Sequence, residues 1–532
     1  MEIYILLVSA VTIICVMFNR VSSEFGVPTL FVFIILGMLF GSDGIYKINF
    51  HNYVFAEHIC SVALIVIMFS GGFGTNWSEA KPVAVKSFIL ASFGVVFTAA
   101  LLALFCYLVL NMAIFESMLI GSVISSTDAA SVFSILRSKK LGLKENTASM
   151  LEVESGSNDP CSYMLTIITL SFIGGKITTG EIIYMTFSQF SFGIISGVLI
   201  GIFAVFTLQN VKFSTDGIDM VFVIGIALMA FAFPSSIGGN GYLSVYIAGI
   251  ILGNSSIKNK PSLVHFFNGI TGLAQMIIFF LLGLLAFPSQ LPPVLLSSSL
   301  IALFLTFVAR PIAIFSLLTP AKCSIRQQFL VSFAGIRGAA SIVFAVIVMV
   351  SGYSPKSDVF NITFCIVLLS IAFQGSLLPW VSKKLQMTDA DADVMKTFND
   401  YTGEVDVQFI KLALTEKHPW VNKKIVELVL PPDTLIVIVL RENDKIIPSG
   451  ATILLEDDIC VLSAPAFQDD RNIKLSEHKI ERDSKWKGKK ISEFSPTHDE
   501  LVVMIKRGGR SVIPRGNTII NEDDVLVINK MN

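Results

Sequence analysis

Long apolar runs separated by short polar stretches fill residues 1–386. A helix needs about 20 mostly apolar residues to cross a bilayer. Thirteen runs are candidates, near 3–20, 27–41, 54–72, 87–109, 115–137, 147–172, 183–208, 218–234, 241–254, 266–287, 294–318, 327–351 and 359–385. The second and ninth are short. Beyond residue 386 the apolar runs shrink and turn residues multiply, which predicts a separate, soluble domain built of short strands.

That second region repeats itself at an offset of 66. WVNKKIVEL begins at Trp420 and WKGKKISEF at Trp486. LIVIVLRENDKIIPSGATILLEDDICVL begins at Leu435 and LVVMIKRGGRSVIPRGNTIINEDDVLVI at Leu501. The pairs Arg441/Arg507, Pro448/Pro514, Gly450/Gly516, Thr452/Thr518 and Asp458/Asp524 keep the offset without a gap. Each copy reads as a helix followed by strands with a P-x-G turn. The boundaries are a membrane domain at 1–386, a linker at 387–402, a first repeat at 403–466 and a second at 467–532.

Composition sharpens the division. The chain has 532 residues, 53% hydrophobic and 15% charged, with a mean hydropathy of +0.72. A soluble domain carries about 25% charged residues. Residues 1–386 hold 19 Lys and Arg and 15 Asp and Glu; subtraction from the totals of 39 and 40 leaves 20 and 25 for the tail. A net charge of −1 gives no reason to expect nucleic acid. The N-terminal MEIYILLVSAVTIICVMF lacks a basic region and a cleavage site and reads as an uncleaved span. The seven cysteines are scattered without a CxxC, which predicts neither disulfides nor a metal site.

With the N-terminus outside, the inner loops before the last span hold twelve Lys and Arg, and the outer loops three: Lys47, Lys176 and Lys356. The positive-inside rule favours that orientation. An odd number of spans then puts the tail in the cytoplasm.

Charges inside spans are costly and are functional candidates by default. Asp128 lies 13 residues into the fifth span, Asp159 12 into the sixth and Arg337 10 into the twelfth. At about 1.5 Å per residue each reaches the middle of the bilayer. Three charges at one depth suggest one shared site. In LEVESGSNDP, residues 151–160, Ser155 and Asp159 stack at i,i+4, as do Glu154 and Asn158. The first face offers the oxygens a monovalent cation uses; the second could engage Arg337. Pro160 removes a backbone donor and loosens the helix there. ISSTDAAS in the fifth span and AGIRGAAS in the twelfth read as broken helices lining a cavity. There Asp128 could neutralise exposed N-termini and Arg337 exposed C-termini. The plainer reading is that Asp128, Glu154, Asp159 and Arg337 form ion pairs that only fix packing, and for Glu154 that role is favoured. Glu152 sits nearer the surface, and Arg310 either lines a funnel or snorkels. His58 and His265 lie near span ends.

STDAASVFSILR followed by LEVESGSNDP, with GIRGAAS in the twelfth span, resembles the cation:proton antiporter superfamily. The match covers the membrane domain and is most similar to the NhaP-type K+/H+ or Na+/H+ antiporters with a cytoplasmic regulatory tail. The resemblance implies a polytopic α-helical fold of about 13 spans with inverted repeats and two crossed broken helices. It implies a homodimer in which a core bundle moves against a dimerisation bundle. Asp159 resembles the carboxylate that binds either cation or proton. Ser155 and the Thr127 carbonyl resemble further cation ligands. Asn158 stands where the electrogenic branch has a second Asp. Arg337 with Glu154 resembles the group holding that Asn, and Asp128 the residue balancing the broken helices. Some relatives add a Glu from the third span; here that stretch reads IVIMFSGGFGTNW, without an acid. Ser70 or water would then complete the shell.

A single desolvated acid makes proton and cation compete for one carboxylate. Only a neutralised site should cross the apolar gate. That predicts one-for-one, electroneutral exchange; the acid does not itself choose between K+ and Na+, and K+ is favoured only by what the resemblance of the tail implies. The tail repeats resemble the C-terminal lobe of regulator-of-K+-conductance domains (TrkA-C type), here as a cytoplasmic α+β domain paired about a pseudo-twofold axis. Such lobes sense small ligands, cyclic di-AMP among them, and a cleft near Arg441 and Arg507 is the candidate site. The plainer alternative leaves both arginines as solvated strand ends of a tail that only dimerises. The tail has no GxGxxG, so NAD is not expected. A ligand-gated cation channel is the main alternative function, but no TVGYG-like filter is present. Symport of an anion or other solute ranks third. An enzyme is disfavoured, because neither HExxH nor GxSxG occurs.

Overall fold

The computed structural model describes residues 29–389 except 49, 51, 140, 176–177, 212–216, 258–259 and 354–356. In the tail it describes residues 407–530 except 417, 432–433, 442–443, 466–473, 481–483, 494–499, 508–509 and 513. Of the first 28 residues it describes 9, 12–14 and 17, so the first expected span lies largely outside the described residues. The chain divides into two compact units, 1–395 and 396–532.

In the first unit the apolar runs fold as helices. These are α1 (Thr29–Phe40), α2 (Tyr53–Gly74), α3 (Ala84–Leu108), α4 (Ile114–Ile124), α5 (Ala129–Ser138), α6 (Thr147–Ile173), α7 (Thr179–Asn210), α8 (Ile218–Ser236), α9 (Gly241–Gly253), α10 (Lys260–Leu285), α11 (Pro288–Leu318), α12 (Ile325–Phe333), α13 (Ala339–Val350) and α14 (Val359–Lys384). Several begin where a short polar side chain caps the first turn: Asn52 for α2, Asn240 for α9, Ser324 for α12 and Asp358 for α14. Seven of the described helices are long and apolar enough to cross a membrane. The fifth and twelfth expected spans are each two half-helices, α4/α5 and α12/α13, with unwound backbone between them.

The central helices pack closely. α2 lies against α9 and α10, and α10 also covers α1. Gly72 of α2 meets the backbone of Tyr246 in α9, where a side chain would not fit. α7 presents exposed Ile183, Phe187, Leu199 and Phe206, a surface suited to hydrocarbon. Three of the described helices carry π-turns, at Leu90–Gly94, Leu305–Ala309 and Ser370–Gly375. Beyond α14 the chain pairs as a short strand, β2 (Thr388–Asp389), with β1 (Gly142–Leu143) in the loop between α5 and α6. Lys144 N–H donates to the Met387 carbonyl at 2.9 Å beside it.

The second unit holds two four-stranded antiparallel sheets. The first is ordered β3 (Val407–Ala413), β6 (Ile459–Pro465), β4 (Leu435–Arg441), β5 (Asp444–Ile446). The second is ordered β7 (Lys474–Lys479), β10 (Val525–Lys530), β8 (Glu500–Arg507), β9 (Arg510–Val512). Each has its own core: Leu414, Ile436, Val439, Leu454, Cys460 and Leu462 in one, and Ile480, Val502, Ile505, Ile520, Leu526 and Ile528 in the other. Every core position of the first recurs 66 residues later in the second. A ladder irregularity recurs too, skipping Val437 and Val503.

The helix expected at the start of each repeat is instead a turn and a 3-10 segment, Ile425–Glu427 and Ile491–Glu493. Several of its backbone donors go to a neighbouring segment instead of the preceding turn. Asn422 N–H donates to Leu454 O at 2.8 Å and Ile425 N–H to Thr452 O at 3.0 Å; Gly488 and Ile491 donate likewise to Ile520 and Thr518. Asn422 (φ 63°) and Gly488 (φ 80°) are left-handed, a conformation these two residue types adopt at little cost.

Candidate cation-binding site

The two unwound segments meet. Asp128 N–H donates to the Ile336 carbonyl at 2.8 Å, so the breaks of α4/α5 and α12/α13 hydrogen-bond to one another. Helix breaks leave carbonyls at one end and N–H groups at the other without partners. The carbonyls closing α4 are met by side chains. Arg337 Nη1 donates to Ser125 O at 2.7 Å and Ser126 O at 2.5 Å. The Ser125 and Ser162 hydroxyls donate to Ser122 O at 2.8 and 2.5 Å. At the start of α5, Asp128 accepts from the Ser131 hydroxyl at 2.5 Å and the Ser131 amide at 3.3 Å. Its carboxylate also lies against Gly338, where an added Cβ would overlap it.

α6 runs unbroken past Pro160, whose carbonyl accepts from the Asn240 amide at 2.8 Å. It brings its polar residues onto the α4/α5 break. Ser155 Oγ donates to Thr127 O at 2.6 Å, and Asn158 Nδ2 to Thr127 Oγ1 at 2.5 Å. Ser126 Oγ donates to Asp159. Asp159, Ser155, Thr127 and Asn158 thus form one cluster around the break. Ser126 belongs to it through a contact that sequence spacing does not reveal.

Glu154 does not pair with Arg337. Arg310 Nη2 donates to both its oxygens, at 2.6 and 2.8 Å, with both side chains almost wholly buried. Arg310 therefore neither snorkels nor lines a funnel: its guanidinium is buried against Glu154 of α6. Gly335 leaves room for it, since a Cβ there would approach Arg310 Nε to 2.9 Å. Arg337 is held from α14 as well. Its N–H donates to Ser370 Oγ at 3.0 Å, Ser370 donates to Gln374, and Gln374 reaches the Phe333 carbonyl that ends α12. Arg310, Ser370 and Gln374 were not predicted in these roles, because nothing in their local sequence names their partners.

A cavity of about 30 Å³ opens beside Asp159. It is lined by Ser126, Thr127, Asp128 and Asp159, by Gly338, Ala339 and Ala340, by Leu64 and Ile67 of α2, and by Gln275 and Phe279 of α10. That is room for about two water-sized particles. Ser70, suggested by sequence as a ligand, does not line it; α2 contributes only apolar side chains. In the tail, Arg441 Nε and Nη2 donate to Asp458 at 2.8 Å each, and Arg507 Nε and Nη2 to Asp524 at 2.8 and 2.7 Å. Each arginine also donates to a backbone carbonyl, Ile453 O or Ile519 O. Both are thus paired within their own repeat, at strand ends that leave about a third of each side chain exposed.

Comparison with known proteins accords with this arrangement. The family described as sodium/hydrogen exchanger, transmembrane, matches residues 7–384, and the TrkA-C domain matches 410–466 and 475–528. The K(+)/H(+) antiporter NhaP2 of Shewanella sp. (strain MR-4) is 31% identical over 84% of this chain and 79% of its own length. The K(+)/H(+) antiporter NhaP of Alkalimonas amylolytica is 30% identical over 86% and 80%. The sodium proton antiporter MjNhaP1 of Methanocaldococcus jannaschii superposes with a TM-score of 0.63 at 22% identity, covering 71% of this chain and all of that one, a likeness of fold. These matches span both the helical unit and the β-rich tail, and the chain belongs to the sodium/hydrogen exchanger family of monovalent cation/proton antiporters.

Proposed function

We propose that this protein exchanges K+ for H+ across the cell membrane, one for one and without net charge movement. The observation that carries this reading is the cavity at the helix crossing. Asp159 borders it, while Asp128 is tied to Ser131 and the helix starts. One carboxylate is left to hold either a proton or a cation. Asn158, beside it, brings no second charge. The names of the relatives favour K+, and Na+ is the competing substrate. The N-terminus faces outward and the tail lies in the cytoplasm, as the basic inner loops favour. The protein works as a homodimer.

The tail regulates exchange. Support comes from β2, which ties the chain leaving α14 to the loop between α5 and α6, the two helices that carry site residues. A small regulator, cyclic di-AMP being one candidate, binds the tail near Arg441 and Arg507. Because each arginine is paired with an aspartate, the ligand would use the exposed side of each pair rather than a free guanidinium.

The test is proton flux in proteoliposomes driven in turn by K+ and Na+ gradients, with and without a voltage clamp. Exchange with K+ that ignores voltage and disappears in Asp159→Asn is expected. Cation flux without protons would make the protein a channel. A chain ending at residue 395 should change in cation affinity or pH profile; identical behaviour would mean the tail does not regulate.

A further inference from the structure

The cavity beside Asp159 has a wall that no sequence motif announces. α10 contributes Gln275 and Phe279 to the same space as Ser126, Thr127, Asp128 and Asp159. Most other oxygens there are already engaged. Ser126 donates to Asp159, Asp128 accepts from Ser131, and Thr127 takes Ser155 on its carbonyl and Asn158 on its hydroxyl. The Gln275 amide makes no hydrogen bond among the described residues. One helical turn earlier on the same face of α10, the buried Thr271 hydroxyl also has no partner. A buried polar group left unmatched needs a reason. A membrane helix that turns two unengaged polar side chains the same way, one of them into the cavity, has that reason if something polar passes there.

A cation entering about 30 Å³ must trade water for protein oxygens. Asp159 alone cannot surround it, and α2 offers only Leu64 and Ile67. We propose that Gln275 is a cation ligand, its Oε1 completing the shell that Asp159 begins, and that it sets ion preference. This rests on the antiporter reading above. Selectivity between monovalent cations depends on the number and field strength of the coordinating oxygens. A neutral amide has a weaker field than a carboxylate. It compensates less for the larger dehydration cost of Na+, so Gln275 biases the site toward K+. Its neutrality also leaves Asp159 as the group that exchanges ion for proton.

The experiment compares full-length wild type, Gln275→Leu and Gln275→Glu in proteoliposomes, measuring the apparent KM for K+ and for Na+. Gln275→Leu should raise the KM for K+ about tenfold, equivalent to 1.4 kcal/mol. The near-isosteric Gln275→Glu should shift the K+/Na+ preference toward Na+, and carries the test if the leucine variant does not fold. An unchanged KM for both ions in Gln275→Leu overturns the assignment. So does lowered turnover with an unchanged ion ratio in Gln275→Glu, which would make the residue structural. A wild type moving no protons on either gradient fails the antiport reading itself; a wild type that exchanges while both variants keep its constants fails only the ligand.

Discussion

Two arginines lie in the same low-dielectric interior and do different work. Arg310 neutralises Glu154, both almost wholly buried, whereas Arg337 meets backbone carbonyls. Removing one member of a buried pair leaves an uncompensated charge and costs about 3–5 kcal/mol, while replacing both with apolar groups of similar size is often neutral. Glu154→Leu and Arg310→Met should therefore each lower the melting temperature of the detergent-solubilised protein sharply. The double variant should recover most of the loss. Additive losses would show that the pair is not the unit of stability.

Among the elements, the crossing of the half-helices depends on close approach. Asp128 can bond to Ile336 and cap α5 only because Gly338 presents no side chain to its carboxylate. Gly338→Ala should displace Asp128 and abolish exchange, with the protein still inserted and eluting normally by size exclusion. Wild-type flux in that variant would mean the crossing tolerates a shift of the breaks. The Ser370 and Gln374 bonds extend the same logic to α14, whose π-turn places both beside the α12/α13 break. Ser370→Ala should cost about 1 kcal/mol, the worth of one neutral hydrogen bond, read as a lowered melting temperature.

For the whole molecule, the tail carries its own stability and its own pH dependence. Burial alone would raise the Asp458 carboxyl. The Arg441 hydrogen bonds, the Leu455 amide and the Arg441 charge outweigh it and hold the carboxyl below the usual range; Asp524 is held down in the same way by Arg507 and the Asn521 amide. A carboxyl whose folded pKa is depressed adds stability that is fully present above its unfolded value of about 4. That stability is lost as pH falls through the folded value. The fragment 396–532 should therefore melt at a constant temperature from about pH 7 to 5 and progressively lower below about pH 4. Asp458→Asn should melt lower above about pH 4, approach the wild type in stronger acid and depend less on pH. A wild-type tail indifferent to pH 3 would remove the role given to these pairs.

Much of this protein was legible in one dimension. Among the described residues the helices fall on the apolar runs, since a backbone in hydrocarbon must satisfy its own hydrogen bonds. Asp128, Asp159 and Arg337 stood out because charge at mid-span is costly, and the 66-residue offset exposed the tail's duplication. What tertiary structure decided is partnership. Whether Glu154 faces Arg310 or Arg337 depends on how α11 and α12 lie against α6, and spacing along one helix carries no such information. No motif or spacing marks Gln275; only the packing of α10 places it on the cavity. In the tail, WVNKKIVEL had a helical look, yet cross-strand partners at Thr452 and Leu454 took its backbone donors. Local pattern encodes what each segment can be, and long-range hydrogen bonding and packing select which of those it becomes.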